Sequence, residues 1–231
     1  MNANGYPGNE SGGHGGATAP STLTLVSEIL DALPTDGSAP PVLAAGGLAT
    51  GGQVASYLTL GAAGAVLGTR FLLTPESPYS SAQKAALLAA RSSSTVRTMA
   101  MDYARGTYGW PAGIDGRGIR NKIYEDIDAG VEHAVVQARF ADAAKRGDPD
   151  YMVVWSGQGV SLMNEIKPAK VRHAFSSARC TTLRPWCALV VCYDAVTDFD
   201  ARLPPQDVMA ELHVDIVRAL QRSRDLLQDQ D

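Results

Sequence analysis

The chain has 231 residues, 45% of them hydrophobic, and a formal net charge of −4. That length suits one α/β domain with a small extension, and the composition is that of an ordinary globular protein. The acidic balance argues against nucleic acid as a partner, and no apolar run reaches the ~20 residues a membrane helix needs.

The first residues, MNANGYPGNESGGHGG, lack the basic and apolar regions of a secretory leader. Residues 1–20 are rich in Gly, Asn and Ser, and on composition alone they read as a flexible tail. Thr22 to Leu33 follows with Leu23, Val26, Ile29, Leu30 and Leu33 at helical spacing, an amphipathic helix. Pro34-Thr35-Asp36-Gly37 is a turn.

Pro40 to Leu73, PPVLAAGGLATGGQVASYLTLGAAGAVLGTRFLL, is the stretch around which the rest is organised. Val42 to Ala45 is too short an apolar run for a helix and stops at Gly46-Gly47, so it predicts a buried parallel strand. Thr50 is a candidate N-cap for a helix marked by Val54, Ala55, Leu58 and Leu60, which Gly61 and Gly64 end. A second apolar run, Ala65 to Leu67, stops at Gly68-Thr69. Two buried strands joined by a crossover helix make a βαβ unit, with glycines at the carboxyl edge where α/β folds bind ligands. Glycines there let backbone N–H groups approach an anion such as a phosphate, and Thr69 adds a hydroxyl. The alternative is that they serve tight turns only.

Beyond this stretch, Ser80 to Arg91 predicts an Ala- and Leu-rich helix, and Thr95 to Thr98 a short strand, read as the last of a barrel. Asp102 to Asn121, DYARGTYGWPAGIDGRGIRN, reads as a glycine-rich loop. Its Arg105, Arg117 and Arg120 are read as surface charges. Its Tyr108 and Trp110 either cover a ligand or pack the loop, and packing is the commoner use of aromatic residues. Val131 to Lys145 predicts a helix, broken at Gly147-Asp148-Pro149-Asp150. In MVVWSGQGVSLMNEIKPA, Gln158 is either a polar lid residue or part of a turn. Cys180, Cys187 and Cys192 fit no zinc spacing, and their odd count argues against a disulfide framework. Reduced thiols in an intracellular, cytoplasmic protein are therefore expected, with no metal site. Asp207 to Leu227 returns to a helical pattern.

AAGGLATGGQVASYLTLGAAGAVLGTRFLLTPES closely resembles the flavin-phosphate segment of nitronate monooxygenases, formerly called 2-nitropropane dioxygenases. Flavin-dependent enoyl-ACP reductases share that segment. The resemblance implies that Gly46, Gly47, Gly68 and Thr69 hold the phosphate of FMN. GNESGGHGG resembles the family's G-x-E-[AS]-G-G-H loop, which implies a catalytic role for His14 and close approach of Gly8, Gly12 and Gly13 to the flavin. GWPAGIDGRGIRN resembles fungal-type members, and WSGQG resembles a late segment beside the active-site mouth.

The resemblance covers roughly residues 8 to 175 and implies an α/β fold, the C-terminal part of an FMN-binding (β/α)₈ barrel. A complete barrel needs eight strands and ~250 residues, so the chain reads as N-terminally truncated, an incomplete barrel with a C-terminal helical extension. The expected organisation is a glycine-rich active-site loop or tail over 1–20 and a partial barrel over 21–175. A possible insertion, even translated intron sequence, follows over 176–206, and then a C-terminal helix over 207–231.

The implied function is FMN-dependent oxidation of alkyl nitronates or nitroalkanes by dioxygen to a carbonyl compound and nitrite. A histidine suits the proton transfer because its ordinary pKa lies near neutrality. The alternatives are a flavin-dependent enoyl-ACP reductase and an inactive barrel remnant. Expected partners are a small-molecule nitronate or nitroalkane and dioxygen, with no nucleic acid and no membrane. The oligomeric state is left open.

Overall fold

The computed structural model describes residues 8–36, 38–169 and the strand Leu189–Cys192. These residues form an α/β fold with two three-stranded sheets. The expected insertion over 176–206 and the expected helix over 207–231 lie outside the described residues, except for that strand. Cys180 and Cys187 lie outside them too. Among the described residues no helix is long and apolar enough to cross a membrane.

The first sheet is parallel and contains the predicted βαβ unit. Strand β2 (Leu43–Ala45) leads through Gly46-Gly47 into helix α2 (Gly51–Leu60), which returns the chain to β3 (Gly64–Leu67). Thr50 caps α2 in a full capping box with Gln53, a device that contributes about 1 kcal/mol. Gly61 ends the helix in the left-handed conformation at φ 117°, where a Cβ is penalised. Ala44 of β2 pairs with Ala65 of β3, and β3 pairs on its other side with β6 (Leu189–Cys192). Leu67, Val54 and Phe71 are fully buried in one cluster with Leu48 and Ala55, and Val26 of helix α1 (Thr22–Ala32) packs with Ala44 and Ala62 in a second, with the partly buried Tyr57 packed against both. Each large apolar side chain buried this way contributes about 1.5–3 kcal/mol.

The second sheet is antiparallel, in the order β1 (Gly13–Gly16), β5 (Ile114–Ile119), β4 (Thr95–Thr98). Three sequence expectations change here. Residues 8–20 are no tail, because His14 sits in a strand opposite Gly116. Thr95 to Thr98 is not a parallel barrel strand, since it pairs antiparallel with β5. Asp102 to Asn121 is not all loop: its first residues belong to helix α5 (Ala100–Arg105) and β5 runs through it.

The reason β5 takes two interior glycines is visible in its neighbour. A Cβ on Gly116 would meet the Trp155 ring at 2.7 Å, and one on Gly118 would meet the Val154 carbonyl oxygen at 2.9 Å. The chain at 154–155 lies flat across β5 and is hydrogen-bonded to it at Ile119 and Gly118.

The remaining helices close the molecule around these sheets. Helix α3 (Thr69–Leu72) follows β3 at once, and α4 (Ser81–Ala89) starts at a Ser80–Gln83 capping box. Helices α6 (Lys122–Asp128) and α7 (His133–Arg146) pack on α5 through Met101, Ile123 and Val136. Gly147 ends α7 in the left-handed conformation, as the sequence break predicts.

Candidate active site

The carboxyl ends of β2 and β3, the loop entering β1, and the 155–163 segment enclose a cleft of about 480 Å³. That is within the size range of small-molecule and cofactor sites. The cleft is lined by Gly12 from the loop entering β1, Gly13 and His14 from β1 itself, Gly46 and Gly47 after β2, and Gly68 and Thr69 after β3. The topology brings these seven together from three separate stretches of sequence. Gly8, the remaining candidate, does not line the cleft. It is buried against helix α1, where a Cβ would lie 2.5 Å from the Thr22 Cα, and its N–H donates to the Ala45 carbonyl at 3.3 Å. It also lies against Gly46, where a Cβ would meet the Gly8 carbonyl oxygen at 3.2 Å.

The glycines divide into two physical kinds. Gly46 and Gly47 hold φ of 127° and 73°, a region that side chains other than glycine's rarely enter, and a Cβ on Gly47 would meet the Glu10 Cβ at 2.8 Å. Gly12 is pressed against the backbone of the 156–157 segment. Gly13 and Gly68 have open space, since a Cβ on either would meet nothing within 4 Å, although Gly13 shares the left-handed φ at 71°. At Gly68, which lines the cleft in an unstrained conformation, that open space is a cradle a side chain would fill.

Thr69 fixes one wall. Its Oγ1 accepts the Gly157 N–H at 2.9 Å, which leaves the hydroxyl proton free to donate. Ser11 lies on the same cleft with its hydroxyl buried and without a hydrogen-bond partner among the described residues. A buried hydroxyl is rarely left unpaired in a native protein. The Thr69 hydroxyl and the backbone N–H groups at the glycine-tipped strand ends suit an oxygen-rich group such as a phosphate ester. Tyr79 adds a phenol whose pKa burial pushes above the ordinary value of 10, partly offset by the Trp155 backbone. It stays neutral, and so able to donate, throughout the neutral range. Leu72, Trp155 and Met163 provide apolar wall.

His14 is held from three sides. Its Nε2 lies 2.9 Å from Oδ2 of Asp102, its ring stacks on Trp110 with centroids 3.9 Å apart, and Trp155 tilts against it at 4.9 Å. The Asp102 carboxylate is fully buried while the His14 side chain is 17% exposed. Oδ1 of Asp102 accepts from Arg105 Nη2 at 2.8 Å and from the Thr107 hydroxyl at 3.1 Å.

Several side chains behave differently from their sequence reading. Arg105 is an ion-pair partner of Asp102, not a surface charge. Arg117 is buried and donates to the Asn9 carbonyl and the Thr95 hydroxyl; burial and the facing Arg97 hold its pKa below the usual arginine value. Arg120 lies over the Tyr124 ring. Trp110 packs, as expected, but its partner is His14. Tyr108 stacks on Tyr103 and His133. Gln158 is no cleft residue: its backbone bridges the Glu10 carbonyl and the Ser92 hydroxyl, and its neighbours Gly157 and Gly159 line the cleft instead. Sequence reasoning missed Ser11, Tyr79 and Asp102. Ser11 lay within the recognised GNESGGHGG loop, whereas nothing in the sequence links Asp102 to His14.

Comparison with known proteins gives a consistent result. The sequence model of the family described as nitronate monooxygenase matches residues 6–171. A nitronate monooxygenase of Metarhizium robertsii is 37% identical over 172 residues, which cover 71% of this chain and 48% of that protein. One from Neurospora crassa is 36% identical over 166 residues, covering 70% of this chain and 44% of that protein. The chain thus spans about half the length of the curated relatives it matches. Among solved structures, a nitroalkane oxidase from Streptomyces ansochromogenes superposes with a TM-score of 0.55 at 29% identity, over 69% of this chain and 46% of that one. FabK from Thermotoga maritima superposes with a TM-score of 0.58 at 23% identity, over 97% of this chain and 56% of that one, a likeness of fold.

Proposed function

The chain belongs to the nitronate monooxygenase family, and on that footing we propose that its cleft binds a flavin, as FMN, and serves the oxidation of alkyl nitronates by dioxygen to a carbonyl compound and nitrite. The parallel β2–α2–β3 unit is read as the later part of a (β/α)₈ barrel, whose ligands sit at the carboxyl edge of the strands. One observation carries the proposal. The two glycine-tipped strands and the His14 loop converge on a single cleft, so an anion grip and a proton-transfer group face the same ligand space.

Gly46, Gly47 and Gly68 would hold the FMN phosphate through backbone N–H groups, with the Thr69 hydroxyl as a further donor and Ser11 supplying its unpaired hydroxyl to the bound group. The chemistry a flavin supplies when bound is electron transfer from nitronate to dioxygen. Leu72, Trp155 and Met163 would pack against the bound group and shield it from water, which strengthens the polar contacts made there. His14 takes the α-proton of a neutral nitroalkane, so that the C–H electron pair passes into the C–N bond and a nitronate and an imidazolium result. With a pre-formed nitronate no proton need be removed, and His14 in its imidazolium form, a donor at both nitrogens, gives a hydrogen bond from Nδ1 to a nitronate oxygen.

The test is spectroscopic. Purified protein should carry a flavin absorbance spectrum, and anaerobic addition of an alkyl nitronate should bleach it. Bleaching by NADPH and not by nitronate would replace this reading with the reductase one. Protein that takes up no flavin would remove both.

A further inference from the structure

We infer that Asp102 is a positioning residue for His14: the buried carboxylate holds the proton on Nε2 and leaves Nδ1 as the basic nitrogen offered to substrate. The inference rests on the base role proposed for His14, although its central claim about the imidazole is testable without any turnover. Asp102 and His14 are 88 residues apart in sequence and meet at 2.9 Å through Oδ2 and Nε2. An ionised carboxylate has no proton to give and can only accept. Nε2 must therefore be the donor, and in the neutral ring the proton is absent from Nδ1. Among the described residues Nδ1 makes no hydrogen bond of its own. The ring cannot easily turn to exchange its nitrogens, because Trp110 stacks on one face and Trp155 leans on it as well.

The surroundings of Asp102 suit a fixed negative charge. It is fully buried, and a buried carboxylate persists only when paired and hydrogen-bonded. Arg105 supplies the opposite charge on Oδ1, and Thr107 supplies a hydroxyl to the same oxygen. Oδ2 is thereby left to His14. Asp102 lies on α5, so the helix that carries the carboxylate also carries the arginine that neutralises it, three residues later.

This arrangement makes the consequence of Asp102→Asn specific. A guanidinium only donates, so the amide oxygen of the variant stays on Arg105 and Thr107. The amide NH₂ then faces His14 and donates to Nε2. Nε2 becomes an acceptor, the ring proton moves to Nδ1, and the base is lost although size and packing are retained.

The experiment is ¹⁵N–¹H correlation of the histidine rings in the full chain, with His14 among four histidines assigned by the signals missing in His14→Asn. The parent should show the Nε2–H tautomer and Asp102→Asn the Nδ1–H tautomer. Thr107→Val, which removes one donor from Oδ1 but leaves the His14 contact, should keep the parent pattern. In flavin-loaded protein, Asp102→Asn should keep its flavin and lose turnover of neutral nitroalkane by ~10²–10⁴-fold, the usual worth of a general base, with a smaller loss on pre-formed nitronate. A parent with its proton on Nδ1 overturns the inference even if the Asn variant does not fold. An unchanged tautomer in a folded Asp102→Asn overturns it equally. If the parent neither holds flavin nor oxidises nitronate, the proposed function fails while the tautomer result still decides the role of Asp102.

Discussion

Gly12 lies directly against the backbone of Gly157, where a Cβ on Gly12 would meet the Gly157 nitrogen at 2.7 Å. That nitrogen in turn donates to Thr69 Oγ1 at 2.9 Å. The histidine loop, the 155–159 segment and the tip of β3 are thus locked in series, and the width of the cleft depends on the absence of one side chain. Gly12→Ala should lower stability by about 1–3 kcal/mol, the usual cost of overpacking a filled site, and should loosen the ligand at the same time. Gly8→Ala, crowded against Thr22 outside the cleft, should cost a similar amount of stability but spare the ligand once the protein is folded. Urea midpoints paired with flavin titrations separate the two; equal ligand affinity in both variants would mean that Gly12 shapes nothing beyond the fold.

Gly68 provides the opposite case. A Cβ there would meet nothing within 4 Å, and its φ of −93° suits any residue. Gly68→Val should leave the ligand-free thermal midpoint almost unmoved and abolish flavin retention, since the isopropyl group occupies the phosphate's approach. Flavin-to-protein stoichiometry after gel filtration is the measurement, and a full complement of flavin in the variant would return Gly68 to the status of a turn residue. Gly47→Val is a poorer probe, because at φ 73° and with Glu10 beside it the change also strains the chain.

Ser11 keeps its buried hydroxyl unpaired among the described residues. Burying such a group without a partner costs about 1–3 kcal/mol, whereas one hydrogen bond to a ligand contributes about 0.5–1.5 kcal/mol. Ser11→Ala should therefore raise or maintain stability without ligand and weaken flavin affinity by a few-fold to roughly tenfold. A variant that loses stability without ligand and keeps full affinity would show that the hydroxyl serves the fold.

Tyr79 links the cleft to pH. Burial raises its pKa above the ordinary value of 10. A group whose pKa is raised on folding contributes stability that is present below the unfolded value and is lost as pH rises through the folded one. The alkaline limb of the stability profile should begin near pH 10, and Tyr79→Phe should move that limb upward while changing little at neutral pH. Thermal midpoints collected across the alkaline range test this, and superimposable limbs in parent and variant would mean that Tyr79 ionises freely.

The parallel half of the molecule was legible in sequence because its signals are local. Val42 to Ala45 and Ala65 to Leu67 are short apolar runs that end in glycine, and Thr50 with Gln53 announces the start of α2 three residues apart. The antiparallel half was not legible. Its central strand, Ile114–Ile119, carries two interior glycines and its first strand three in four residues, a composition that normally argues against strand. Gly116 and Gly118 of the central strand are there because Trp155 and Val154 occupy the space of their side chains, a tertiary cause that no window of sequence contains. Helix α6 is only seven residues long and too short for its period to register. In the site, the glycines and His14 were readable from motif and spacing. Asp102 was not, because it precedes GWPAGIDGRGIRN, belongs to no motif, and meets His14 only through the packing of α5 beside β1.

His14 itself offers the sharpest test of the proposed chemistry. It lines the cleft from β1 while the glycines lie at the ends of β2 and β3, so the proposed phosphate grip does not run through the imidazole. His14→Asn should keep bound flavin. It should lose most turnover of neutral nitroalkanes, because an amide cannot take the α-proton, and a general base is worth ~10²–10⁴-fold. Turnover of a pre-formed nitronate should fall less, since its proton has already gone and the Asn NH₂ still donates a hydrogen bond. The quantity to measure is the ratio of nitroalkane to nitronate turnover in variant and parent. A lowered ratio assigns the proton transfer to His14, and an equal ratio with both rates reduced would leave it a hydrogen-bond donor only. Unchanged rates on both substrates would remove His14 from the chemistry and leave its contacts with Asp102, Trp110 and Trp155 as packing that secures the first loop.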